Sequence, residues 1–460
     1  MESSKSINKE FKKDMFSVDL INGPIFKSLI LFALPLFISN LFQQLYNTAD
    51  TMIVGHLLGE DSLAAMGACT SIYDLLIGFA LGIGSGLAIV TARFFGAGNI
   101  RKFKQAVASS LIIGLFITII ITIVAQLSVY PLLKVLNTPS GIIDESYSYI
   151  STITLFIMVM FAYNLCAGLL RSIGNSFMPL IFLIISACTN IILDLVFIGK
   201  LAMGIRGAAI ATVLSQGLSV VLCLIYIFKY TKFLIPSRED FNFDKNIYSE
   251  LLSQGFAMAL MSCLVSSGSV ILQSGINGLG KYTIAGHTTA RKLYLFSIMP
   301  ISCLGMATST FMSQNRGAGK RDRIIKCIKG EYIYICAMSI FIFLLMKLFA
   351  PFLIHLVSGS TNETIISNGS KYLIYNSPFY IALGIILTTR YSLQSLGMKI
   401  LPILSSIIEF IGKILFVVVF IPRFKYNAVI FCEPAIWCCM AVFLIFAFFK
   451  NPYIRNGETK

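Results

Sequence analysis

The 460-residue sequence predicts an all-α integral membrane protein: twelve transmembrane helices in two pseudo-symmetric six-helix bundles. Composition is the first ground. Hydrophobic residues make up 57% of the chain, charged residues only 12%, and mean hydropathy is +0.83, whereas soluble domains carry about 25% charged residues. The second ground is length. Apolar runs able to cross a bilayer, which takes about 20 residues, lie near 26–57, 63–95, 105–130, 146–170, 177–199, 206–229, 249–279, 283–315, 330–357, 371–397, 401–422 and 427–450. The third ground is an internal repeat. "GAG" at 96–98 recurs at 317–319, "LGEDSLAAMG" at 58–67 matches "LGKYTIAGHT" at 279–288, and "LLRSIGNSFMPLI" at 169–181 is similar to "SLQSLGMKILPIL" at 392–404. An even number of spans per repeat gives both halves one orientation, a design typical of transporters.

The elements follow in order. Residues 1–25 read as a cytoplasmic tail with no signal-peptide pattern. The first bundle covers 26–230, a polar cytoplasmic linker "KYTKFLIPSREDFNFDKN" leads through 231–248, the second bundle covers 249–450, and 451–460 forms a second cytoplasmic tail. The net charge of +15 invites a nucleic-acid reading, but the basic residues concentrate in the tails and even-numbered loops, above all "RFFGAGNIRKFK" and "RGAGKRDRIIKCIK". That is the positive-inside pattern, which places both termini in the cytoplasm of a cell-membrane protein and predicts no nucleic-acid partner. The eleven Cys show no CxxC pair or Cys/His cluster, so neither a disulfide framework nor a zinc site is expected. "GFALGIGSG" at 78–86 has small residues four apart inside an apolar span; it reads as a helix contact, since no strand precedes it to make a phosphate loop.

Charged groups inside spans cost about 2.5 to 3.5 kcal/mol each on the insertion scale and so call for a partner or a purpose. Asp50 in span 1, Asp194 in span 5 and Thr212 in span 6 all fall, at 1.5 Å per residue, about 8 to 11 Å below the outer surface. Asn190 lies one turn before Asp194, and Tyr46 one turn before Asp50. If spans 1, 5 and 6 adjoin, these oxygens can hold a hard monovalent cation. Desolvation and repulsion both oppose two bare charges side by side, so protons, sodium or either in competition would fit. The plainer alternative is that the two acids satisfy Asn and Tyr donors and fix helix packing. An intramembrane aspartyl protease also uses two membrane acids, but its GxGD context is absent here. In the second half, Glu409 and Lys413 have ion-pair spacing, with Arg390 as another partner. Asp74 in span 2 either faces a cleft or bonds a neighbouring helix, and His287, Arg291 and Lys292 receive no role.

"LFALPLFISNLFQQLYNTADTMIVGHLLGEDSLAAMG" resembles the first-span signature of the multidrug and toxic compound extrusion (MATE) family, and "RSIGNSFMPL", "TNIILDLVFI" and "GIRGAAIAT" fall where that family has related segments. The resemblance implies two bundles in a V shape that extrude amphipathic, often cationic compounds in exchange for sodium or protons. No enzyme activity and no cofactor are expected beyond the coupling ion, and the working unit is expected to be a monomer in the bilayer. Position by position, the family's first-span acid falls on Asp50, its fifth-span pair on Asn190 and Asp194, its sixth-span Thr on Thr212 and a carbonyl ligand on Ala208. The tyrosine near the acid falls on Tyr46 and the kinking proline on Pro35. Sodium would then sit among Asp50, Asn190, Asp194 and Thr212. Some members carry acids in spans 7 and 10; here span 7 has no acid between Leu251 and Leu279, and span 10 shows Arg390 instead. A lipid-linked oligosaccharide flippase of related build is the alternative; it would need a cationic cavity for a pyrophosphate.

Overall fold

The computed structural model describes residues 16–136 and 138–456. Among them are eleven helices long and apolar enough to cross a membrane: span 1 (Ile25–Leu58), span 2 (Glu60–Gly96), span 3 (Ile100–Val135), span 5 (Phe177–Lys200), span 6 (Gly204–Tyr230), span 7 (Lys245–Asn277), span 8 (Lys281–Gly317), span 9 (Arg321–Ser358), span 10 (Glu363–Ser395), span 11 (Ile400–Phe424) and span 12 (Tyr426–Phe449). Span 4 completes the twelve as a pair, Ile143–Leu155 and Ile157–Ser172, bent by 47°. The bend has a visible cause: side chains of span 3 take up carbonyls at the break. Gln126 Nε2 donates to the Ser151 carbonyl at 2.8 Å and Thr122 Oγ1 to the Thr154 carbonyl at 3.4 Å, and such insertions into the backbone ladder kink helices.

The sequence repeat is matched by backbone conformation. Left-handed glycines stand at Gly59 (φ 92°) and Gly280 (φ 91°), and again at Gly98 (φ 67°) and Gly319 (φ 68°). Only two non-glycine residues among those described have positive φ, Ala202 (49°) and Lys425 (50°), and they too are related by the repeat. Each follows a wide π-helical segment, Leu195–Lys200 in span 5 and Phe416–Phe420 in span 11. Such segments are rare and recur at functional sites.

The chain folds into two compact units. The first runs through Cys263 and takes in Arg316–Gly319; the second comprises Leu264–Asn315 and everything from Lys320. Within the first unit, span 2 packs on span 4, span 5 on span 6, and span 1 on span 5. The start of span 7 belongs to this unit because it meets span 2 backbone to backbone. A Cβ on Gly82 would stand 2.7 Å from the Ala259 α-carbon, and one on Gly86 would stand 2.6 Å from that of Gly255. The small residues of "GFALGIGSG" thus make a helix contact, and Arg93 pairs with Glu250 beside it. The linker forms two short 3-10 turns, Lys232–Leu234 and Arg238–Phe241, and lays Phe233 against the rings of Phe95 and Phe103. Residues ahead of span 1 are also tied down, by the Val18 amide donating to the Gly174 carbonyl at 2.9 Å. Gly174 has φ 93°, and a Cβ there would lie 2.5 Å from the Val18 carbonyl oxygen, so both its conformation and its surroundings require glycine.

In the second unit the interior is charged. Glu409 bonds Arg390 Nη2 at 3.2 Å and Lys413 Nζ at 3.0 Å, while Arg390 Nε also donates to Ser405 Oγ at 2.7 Å. A second group joins Arg291 to Glu433 at 2.8 Å, with Tyr372 donating to Glu433 Oε2 at 2.6 Å and His287 Nδ1 3.3 Å from the Tyr426 hydroxyl.

Candidate functional site

Spans 1, 5 and 6 adjoin, so the residues counted to one depth come together. Asp194 is fully buried, Asn190 is 1% exposed, Asp50 8% and Thr212 9%. The carboxyls of Asp50 and Asp194 are within hydrogen-bonding reach of each other. Local structure explains their placement. Asp50 is one of the few buried residues in the outer half of span 1 and lies on the side that meets spans 5 and 6, and the wide segment that begins right after Asp194 ends the regular helix at that residue.

Hydrogen bonding there is incomplete. Asp50 Oδ1, both oxygens of Asp194, and both Oδ1 and Nδ2 of Asn190 have no partner. Buried polar groups are nearly always paired, and leaving one unpaired costs about 1–3 kcal/mol, more if charged. The unpaired atoms are mostly oxygen acceptors, the set that a proton or a hard cation would satisfy. Thr212 is half-committed: its hydroxyl donates to the Ala208 carbonyl at 3.1 Å, which leaves lone pairs on both oxygens. Tyr46 brings its hydroxyl within reach of Gln43 and Gln216 and stands close to Asp50.

Asp50 and Thr212 open onto a cavity of about 520 Å³. Its wall includes Tyr46, Tyr73, Tyr149, Met66 and a second acid, Asp74, and it contains no Lys, Arg or His among the described residues. Of the two sequence readings for Asp74, the structure favours an open cavity wall over a bond to a neighbouring helix. Pro35 lies farther along span 1, buried, with the Ser39 hydroxyl donating to its carbonyl at 2.8 Å.

The remaining sequence candidates lie elsewhere. Arg390, Glu409 and Lys413 form the buried cluster of the second unit, and His287 and Arg291 belong to the Glu433 group. Lys292 has no ion pair among the described residues. Sequence spacing does not single out Gln216, Tyr73 or Tyr149. A signal exists for Gln216, an amide one turn after Thr212 in an apolar span, and for Glu433, an acid inside span 12; the two tyrosines carry none, since aromatic residues abound in every span.

The comparisons with known proteins agree with this architecture. The MatE family profile matches residues 35–196 and 257–419, one segment in each repeat. The chain is 29% identical over 312 residues to the probable multidrug resistance protein YoeA of Bacillus subtilis, covering 66% of this chain and 67% of that protein. It is 24% identical to YpnP, a probable multidrug resistance protein of the same organism, with 86% and 88% covered. A solved MOP superfamily transporter from Pyrococcus furiosus superposes with a TM-score of 0.88 at 22% identity, covering 96% of this chain and 99% of that one. By a profile match that spans both repeats and most of the chain, this protein belongs to the MATE family of multidrug efflux transporters.

Proposed function

We propose that the chain exports amphipathic, cationic compounds from the cell by antiport with protons or sodium, and that Asp50, Asn190, Asp194 and Thr212 form the coupling site. One observation carries the reading: two buried acids on different spans lie within hydrogen-bonding reach and short of donors, and one of them, Asp50, sits at the wall of an acidic, aromatic cavity. With the site empty, its negative charge favours a bound organic cation, whose charge the tyrosine faces also attract. Loading a proton or sodium ion cancels one charge of the pair and weakens that attraction. Tyr46 orients Asp50, and the Ala208 carbonyl completes the oxygen set. Pro35 interrupts the hydrogen bonding of span 1 and serves as the hinge through which loading changes the helix. The cluster of Arg390, Glu409 and Lys413 takes no part in coupling, because its acid is already paired to two cations. A cavity lined by acids without a basic residue speaks against a pyrophosphate-bearing lipid as cargo.

The protein works as a monomer in the cell membrane with both termini in the cytoplasm. The test is efflux of a cationic dye from proteoliposomes under separately imposed proton and sodium gradients, with Asp50→Asn alongside. Undiminished gradient-driven efflux by that variant sinks the assignment.

A further inference from the structure

The second unit contains a buried acid without a counter-charge. Glu331, in span 9, is 1% exposed, and its Oε2 has no hydrogen-bond partner. Its Oε1 is met by the hydroxyl of Thr308 on span 8. None of the ion pairs found among the described residues includes it. The other two acids inside this unit, Glu409 and Glu433, are each bonded to Arg or Lys.

Helix register adds a third polar group. Gly384 of span 10 is in tight contact with Ile335 of span 9 and Ile301 of span 8: a Cβ on it would lie 2.5 Å from the former and 3.1 Å from the latter. One turn from that layer toward the cytoplasmic end stand Glu331 on span 9 and Thr388 on span 10, and two turns along span 8 stands Thr308. Thr388 Oγ1 is buried and has no partner either. The charged and titratable groups nearby are engaged elsewhere. Arg323, two turns earlier on the same helix, lies over the Phe311 ring and donates to Asn315 Oδ1 at 3.0 Å. The Tyr332 hydroxyl bonds Thr389 Oγ1 at 2.8 Å, and Arg390 is held by Ser405 and Glu409. Cys327, one turn before Glu331, and Tyr391 of span 10 are uncharged as thiol and phenol and supply no positive charge.

We infer that Glu331 is a second proton-binding site, carried as the neutral carboxylic acid in the core of the second unit. An ionised carboxylate is among the most costly groups to bury alone, and the outcome in such surroundings is neutralisation. One proton on Glu331 removes the charge and turns Oε2 from an unsatisfied acceptor into a donor for a neighbouring hydroxyl oxygen. The inference stands independently of the Asp50 and Asp194 coupling site. It gives the second unit a proton-carrying group in span 9 that its sequence setting, at the edge of an apolar run, does not advertise.

Infrared spectroscopy of the purified protein in lipid at neutral pH tests it. In an Asp50→Asn, Asp194→Asn background, the carbonyl band of a protonated carboxylic acid is expected, and adding Glu331→Gln removes it. A carbonyl region unchanged by Glu331→Gln overturns the inference. Should that variant fail to fold, Thr308→Val is read instead: losing the hydroxyl that bonds Glu331 shifts the same band, and a band that stays in place refutes the assignment.

Discussion

Asp50 and Asp194 stand on different spans with their carboxyls within hydrogen-bonding reach, yet three of their four oxygens have no donor. The arrangement is poor for stability and well suited to a group that must pick up and release a positive charge. Asp50→Asn replaces an oxygen by a donor that can serve Asp194, so its expected effects on folding and on transport have opposite signs. Thermal unfolding in detergent should show the variant at least as stable as the parent, by up to about 1–2 kcal/mol for one charge-assisted hydrogen bond, while gradient-driven efflux falls at least tenfold. Loss of both together would mark Asp50 as a packing residue.

On the proposed function, protons and sodium compete for the same oxygens. A sodium ion enters this site only when the acids are bare, so lowering the pH protonates them and weakens apparent sodium affinity, and raising it restores the affinity. Thr212→Val keeps the shape of span 6 but deletes one of the proposed ligand oxygens and leaves the Ala208 carbonyl without its side-chain donor. Isothermal titration with sodium at two pH values should show about a tenfold loss of affinity in this variant, with the pH trend preserved because the carboxylates remain. A pH-independent sodium affinity in the parent would show that the acids do not hold the ion.

The contact between spans 2 and 7 predicts a purely structural phenotype. At Gly86 even a methyl group would have to occupy space 2.6 Å from the Gly255 α-carbon, where backbone cannot yield cheaply. Gly86→Leu should cost more than the roughly 1–3 kcal/mol typical of overpacking, and reduce folded yield in fluorescence-detected size exclusion. Gly78→Ala, where an added Cβ meets nothing within 4 Å, should be neutral in the same assay.

Glu409 holds two cations, so its neutralisation is worse than the loss of an isolated pair. Glu409→Gln leaves Arg390 and Lys413 buried at 7% and 2% exposure without a counter-charge, and the expected destabilisation is about 3–5 kcal/mol. Adding Lys413→Met to the same variant removes one of the two stranded charges and should recover part of the melting temperature. A double variant no more stable than the single one would mean that the pair is solvated.

The legibility of this protein in its sequence follows the physics of each element. The span count, the repeat and the depth of Asp50, Asp194 and Thr212 are readable because apolar length and helical rise are set by the bilayer and by local geometry. The bend at Phe156 is not readable, since it depends on Gln126 and Thr122 of another span reaching the carbonyls there. Nor is the assignment of the start of span 7 to the first unit, which rests on the closeness of Gly82 and Gly86 to Ala259 and Gly255. Glu331 lies at the edge of an apolar run, where an acid reads as a surface residue until packing shows it buried.

As the proposed hinge, Pro35 offers a way to separate binding from movement. Its ring removes the backbone hydrogen bond to the Leu31 carbonyl, and one turn on the Ser39 hydroxyl donates to the Pro35 carbonyl. Pro35→Ala restores the missing bond, with no change to any group at the acid pair, which lies about four turns away along the helix. The expected variant therefore binds the coupling ion with parental affinity but exports dye several-fold more slowly, as measured by isothermal titration and proteoliposome efflux on one preparation. Parental efflux in Pro35→Ala would remove the hinge from the mechanism while leaving the ion site intact, whereas weakened ion binding would mean that the proline shapes the site itself.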